Sequence, residues 1–240
     1  MNNDTVLFDF TPWFDEELDV VTDSIDIKMS AGDAEKRYRD AKGKVKSHVA
    51  IDNPRWRKLS DAEYQLRHQF DSEFLLIRLG CQFYELPKDM VVERAKVQAF
   101  LEADSPNELA LPRVAEVFPV DLFDGTTQQG KIKFAPSLKF SGAELGIGEV
   151  ELQTNIGQVT PEIIGYLGDD ERSPYWILRP RSRPLQSVQH FWLVVERPIK
   201  CKSMRLFMFA ELVLQTKKWG LIPIGPQFRD RQTRRSIEIW

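Results

Sequence analysis

The sequence predicts a mainly β protein, an antiparallel β-sandwich or open barrel with a short N-terminal helical and extended arm. Three observations lead there. Apolar residues alternate with period 2 in several runs beyond residue 72, turn-forming Pro and Gly punctuate those runs, and two runs, 175–179 and 191–195, are apolar on both faces, as central strands are. The expected division is an arm over 1–71, packing on a main β domain over 72–240.

Taken in order, Val6, Phe8 and Phe10 alternate at the front and predict a strand that has to join a later sheet, because a lone strand is unstable. The stretch 33–46 holds good helix formers but no wide apolar stripe, which describes a solvated helix or a mobile arm. Ser60 and Glu63 form a capping box, and Leu59 can contact Tyr64 as a hydrophobic staple, so a short helix is expected over 60–70. In 73–84, Leu75, Ile77, Leu79, Cys81 and Phe83 make one apolar face, and a turn at Leu86 and Pro87 follows. Val91, Ala95, Val97, Ala99 and Leu101 then oppose Arg94, Lys96, Gln98 and Glu102. The two runs read as an antiparallel hairpin, with a helix as the alternative for the second.

Further along, Ile132, Phe134, Leu138 and Phe140 alternate with Lys131, Lys133, Ser137 and Lys139. Pro136 places this strand at an edge or breaks it. Between 145 and 156 the apolar phase moves from Leu145 and Ile147 to Val150, Leu152 and Ile156, as a β-bulge across Gly146 and Gly148 would produce. Leu206, Met208, Ala210, Leu212 and Leu214 give another strand. Ile237, Ile239 and Trp240 resemble a strand waiting for a sheet, its own or another chain's.

The 240 residues are 42% hydrophobic and 29% charged, enough for a core that buries ~70% of the extended-chain surface. No 18-residue apolar run exists for a membrane helix, and the acidic front lacks the basic and apolar regions of a signal peptide. Two cysteines, Cys81 and Cys201, fit a reducing compartment. The expectation is therefore a cytoplasmic protein without membrane contact. Its net charge of −3 conceals segregation: residues 1–27 carry eight acids and no Lys or Arg, 28–71 eleven bases against seven acids, and 172–205 eight bases against one acid. For a nearly neutral chain, pairing of these blocks within the fold is favoured over pairing with an external polyanion.

No motif of known chemistry is present. His48, His68 and His190 lack metal-ligand spacing, no nucleophile elbow or phosphate loop occurs, and Cys201 between Lys200 and Lys202 is the one thiol whose surroundings could acidify it. No catalytic residue, metal or cofactor is expected, and enzyme activity is disfavoured. The expected function is a non-catalytic protein–protein interaction module of a cytosolic assembly, meeting its partner through the acidic 1–27 arm or the C-terminal 225–240 segment. Candidate binding residues are Arg172, Arg179, Arg181 and Arg183 with Trp176 and Trp192, which combine guanidinium with aromatic surface, and Arg234, Arg235 and Trp240 at the end. The alternatives are a nucleic-acid binder using the 172–205 basic segment, or an enzyme with a dispersed site of carboxylates such as Glu149 and Glu151, or of groups around His190.

Overall fold

Residues 12–20, 33–60, 71–88, 90–103, 111–122, 162–180, 185, 188–226 and 236–238 are described by a computed structural model. They form thirteen strands and one helix: β1 (Pro12–Val20), α1 (Asp33–Ala41), β2 (Ser47–Asp52), β3 (Arg55–Lys58), β4 (Ser72–Tyr84), β5 (Val91–Ala103), β6 (Arg113–Phe118), β7 (Asp121–Leu122), β8 (Glu162–Tyr166), β9 (Tyr175–Arg179), β10 (Gln189–Pro198), β11 (Met204–Thr216), β12 (Gly220–Pro226) and β13 (Ser236–Glu238). The predicted helix over 60–70, the strand at Val6 to Phe10 and both alternating runs between 131 and 156 lie outside the described residues.

One antiparallel sheet runs β6-β10-β4-β2-β1-β12-β11-β5-β9-β8-β7, with β3 also on β4 and β13 also on β11. Its two ends approach each other: the Gly165 N–H donates to the Val120 carbonyl at 2.8 Å, and the Val114 N–H to the Glu171 carbonyl at 2.7 Å. The sheet is thus nearly closed and barrel-like, and the mainly antiparallel β class expected from the alternation is what the chain adopts. Residues of one phase from each long strand meet inside: Leu75, Ile77, Leu79, Cys81 and Phe83 of β4, Ala95 to Leu101 of β5, Phe191, Leu193 and Val195 of β10, and Leu206, Leu212 and Leu214 of β11. β1 lies inside the sheet, between β2 and β12, and Lys46 of the basic segment pairs there with Glu17 at 2.6 Å.

The predicted hairpin of 73–84 with 91–103 does not form. Both stretches are strands, but β4 pairs with β10, β2 and β3, whereas β5 pairs with β11 and β9. Four strands separate them in the sheet order. Alternation reports that a segment is a strand with one buried face; it carries no information about the partner. The turn itself is real: Glu85 takes a left-handed φ of 52° ahead of Leu86 and Pro87, and it sends the chain across the molecule. The C-terminal strand finds its sheet within the chain, where Ser236, Ile237 and Glu238 lie opposite Phe207, Leu206 and Arg205. α1 buries Tyr38 and Ala41, and Gly43, at φ 73°, caps it while its N–H donates to Asp19 Oδ1 at 3.0 Å.

Candidate functional site

β2 and β3 run consecutively along one edge of β4, and they break register by one residue. From Ile51 opposite Cys81 to Arg55 opposite Arg78, four steps on one side face three on the other. Asp52 sits at this irregularity, fully buried, and accepts a hydrogen bond from the buried guanidinium of Arg78. His190 of β10 lies opposite Gly80, and Trp192 opposite Arg78. The glycine makes the approach possible: a Cβ at position 80 would stand 2.9 Å from Asp52 Cβ and 3.4 Å from His190 Nδ1. Burial, followed by the positive charge of Arg78, lowers the His190 pKa from its ordinary value, against a smaller opposing effect of Asp52. The imidazole is therefore neutral at pH 7, and Asp52 and Arg78 neutralise each other. Chemically the group is a pinned ion pair that fixes the β2/β3 register against β4.

The sign of the histidine effect gives a test. A depressed folded pKa means the unfolded chain binds more protons in acid, so stability is full above the ordinary histidine range of about 6.5 and is lost as pH falls through it. The urea midpoint should drop more between about pH 7.5 and pH 5.5 in the unaltered protein than in His190→Gln. Equal drops would show that His190 takes no part.

A second polar group gathers at the other end of β2. His48 lies 3.6 Å from Asp15, 3.9 Å from Glu17 and 3.4 Å from Glu85. The Tyr84 hydroxyl donates to Asp15, and burial, that hydrogen bond and the neighbouring carboxylates push its pKa up to about 12. On β4 and β10, Glu73 is held by Arg197 and, at 2.6 Å, by Lys58; these cations outweigh burial and lower its pKa. Among the described residues, no three His, Cys, Asp or Glu side chains are grouped to hold a metal.

The described sheet also shows where residues 123–161 leave and return. Asp121 and Leu122 pair with Ile164 and Ile163, so the chain departs and re-enters through neighbouring antiparallel strands. Following the rungs outward, Ile163 faces Leu178, Leu178 faces Ala95, and Ala95 faces Leu212. The exit points therefore face the end of the sheet at which β5 begins at Val91 and β11 turns into β12.

Four of the candidate binding residues are described, and they occupy different places in the fold. Trp176 is 0% exposed and packs against Phe191, with ring centroids 4.7 Å apart. Trp192, in the opposite phase of β10, is half-buried against a smaller apolar cluster of Leu59, Phe74, Leu76, Phe118 and Val194. Arg172 lies in the β8–β9 connection, 4.0 Å from Asp170, and Arg179 is exposed at the end of β9. Arg181, Arg183, Arg234, Arg235 and Trp240 lie outside the described residues. Cys201 is buried, and burial raises its pKa against the opposing charge of Arg197, so its flanking lysines do not create a reactive thiol. Sequence reasoning missed the Asp52–Arg78 pair. Its signal is Arg78 itself, a lone guanidinium inside the apolar run 74–81, which requires a buried acid.

No family model matches the chain, and no curated protein matches it. Solved structures that are similar include three pore-forming proteins or toxins. One described as a pore forming protein is 10% identical, with 94% of this chain and 89% of the other covered at a TM-score of 0.36. Clostridium perfringens delta-toxin is 8% identical, with 80% and 82% covered at 0.35. The Clostridium perfringens NetB toxin in the membrane inserted form is 9% identical, with 94% of each chain covered at 0.33. Against these findings the expectations of a cytosolic interaction module, of a protein partner without membrane contact and of cytoplasmic residence are corrected. The physical fault lay in the membrane test. An 18-residue apolar run is a criterion for helices, and no helix among the described residues is long and apolar enough to cross a membrane. A barrel strand needs only about 10 residues with every second one apolar.

Proposed function

We propose that the protein acts on membranes, placing the stretch between Leu122 and Glu162 across the bilayer as a two-stranded segment that closes into a pore with those of other copies. The observation that carries this reading is a juxtaposition. The stretch is bounded by the paired strands β7 and β8, and its sequence contains two alternating runs of transmembrane-strand length. In one run Ile132, Phe134, Leu138 and Phe140 supply a lipid face and Lys131, Lys133 and Lys139 a polar one. In the other, Val150, Leu152 and Ile156 oppose Glu149, Glu151, Gln153 and Asn155. Ten residues at ~3.3 Å each, tilted by about 45°, span roughly the 25 Å apolar band of a transmembrane barrel. Two strands alone leave both edges unpaired in hydrocarbon, at several kcal/mol per polar group, so copies must join until the sheet has no edge. Lysines of one run and glutamates of the next then share the lumen and offset one another across strands. The described body, on this reading, is a sandwich of two layers, β6-β10-β4-β2-β1 and β12-β11-β5-β9-β8, that anchors the segment.

The test uses the whole protein with single introduced cysteines. Both native cysteines are buried, so labelling is selective. An environment-sensitive dye at positions 149, 150, 151 and 152 in turn should shift to the blue on vesicle addition at 150 and 152 only. Entrapped dye should leak from the vesicles, and Leu152→Arg should suppress the leakage, since a mid-bilayer arginine on a barrel's lipid face costs about 2–4 kcal/mol per copy. Absence of both leakage and the two-residue rhythm would refute the reading.

A further inference from the structure

The geometry points to the β11–β12 turn, with Val91 and Leu221 beside it, as a docking tip for anionic lipid surfaces. The inference rests on the membrane reading above and names the end of the body that meets the bilayer and the headgroup chemistry it takes. Three observations converge there. Val91 and Leu221 are 63% and 47% exposed, among the most exposed large hydrophobic residues described. They lie on either side of Gln215, each opposite it across its own rung, so the three form one row on the outer face of the sheet. The turn beyond them carries Lys217, Lys218 and Trp219. Both lysines are exposed, and among the described residues neither is ion-paired. The Lys218 ammonium stands over the Trp219 ring, 4.9 Å from its centroid; the backbone N–H of Trp219 donates to Thr216 Oγ1 at 2.8 Å, which shapes the turn, and the half-buried indole rests with one side against the core.

An exposed apolar row, an indole and exposed lysines form the composition that settles at a membrane interface: the ring lies at headgroup depth, and the ammonium groups meet lipid phosphates and carboxylates. Placement supports the assignment, because the rungs running from Ile163 to Leu212 put this turn at the end of the sheet through which the chain departs at Leu122 and returns at Glu162. Lys42, Lys44, Lys46, Lys88 and Arg179 are exposed near the same end against the exposed acids Asp15, Glu17, Asp40, Glu85 and Glu93, so Lys217 and Lys218 of the turn supply the excess of positive charge there. The occupant is therefore an anionic bilayer.

The experiment measures co-sedimentation of the full chain with vesicles of phosphatidylcholine alone and with about one-third phosphatidylserine. Each lysine near such a surface is worth about 1 kcal/mol, so Lys217→Gln with Lys218→Gln should weaken binding to the anionic vesicles by about 30-fold. Val91→Ser with Leu221→Ser should weaken it further, and raised salt should weaken it in the unaltered protein. A dye on Gln215→Cys should shift to the blue on anionic vesicles. Equal binding to both compositions, or undiminished binding by the lysine variant, would overturn the assignment. Leu152→Arg separates the two readings: it should bind as the unaltered protein does while failing to release dye, so loss of leakage with binding intact bears on the pore, and loss of binding, which takes leakage with it, bears on the tip.

Discussion

Asp52→Ala is expected to destabilise the fold by about 3–5 kcal/mol, seen as a fall in the urea midpoint with little change in slope. The carboxylate is completely buried at the register break between β2 and β3, and its removal leaves the Arg78 guanidinium charged inside the sheet. The charge cannot be shed at any accessible pH, because arginine does not deprotonate in proteins. Arg78→Met should cost a similar amount by stranding Asp52, although a carboxylate can take up a proton. The informative variant is the double replacement, Asp52→Leu with Arg78→Met, which removes both charges and should be less destabilised than either single change. A double variant as unstable as the sum of the singles would mean that the two groups do not act as a pair.

Trp176→Ala is the second large effect, with an expected loss of about 3–5 kcal/mol. The indole fills the space between β9 and Phe191, and it also lies over the backbone of Gly165, where a Cβ would come within 3.0 Å of the ring and 2.4 Å of the Pro119 carbonyl oxygen. Deleting it therefore opens a cavity where β7, β8 and β9 meet. A change near 0.5 kcal/mol, as for a surface aromatic, would show that the ring is not part of the core. The unfolding transition measures this without reference to any ligand.

Legibility in the sequence followed the physics of burial. β4, β5 and β11 announce themselves because four or more residues of one phase in each are apolar and buried, and β9 and β10 because they are flanked by strands on both sides. β1 and β2 do not, since Asp15, Glu16 and Glu17 in one and Ser47 and His48 in the other mask short apolar phases ending in Leu18 and Ile51. Partner choice was invisible throughout: nothing in Leu75 to Phe83 distinguishes β10 from β5 as a neighbour. The same holds for the candidate site. Arg78 could be identified as a buried charge from its own run, but Asp52, 26 positions earlier, is joined to it only by the fold. The two runs at 131–140 and 145–156 were weighed only as ordinary sheet, in which polar residues face water. In a barrel wall the same rhythm faces lipid on one side.

The place of β1 between β2 and β12 constrains how the molecule is made. Leu18 lies in register opposite Pro226, some 200 residues later. While the chain is emerging from a ribosome, β1 therefore waits with one flank open until almost everything else has been synthesised. Until the late-arriving strand docks, that flank is a ready template for strands of neighbouring nascent chains. A protein arranged in this way gains from slow, well-chaperoned production, and premature termination anywhere before Gly220 leaves the seam unsealed.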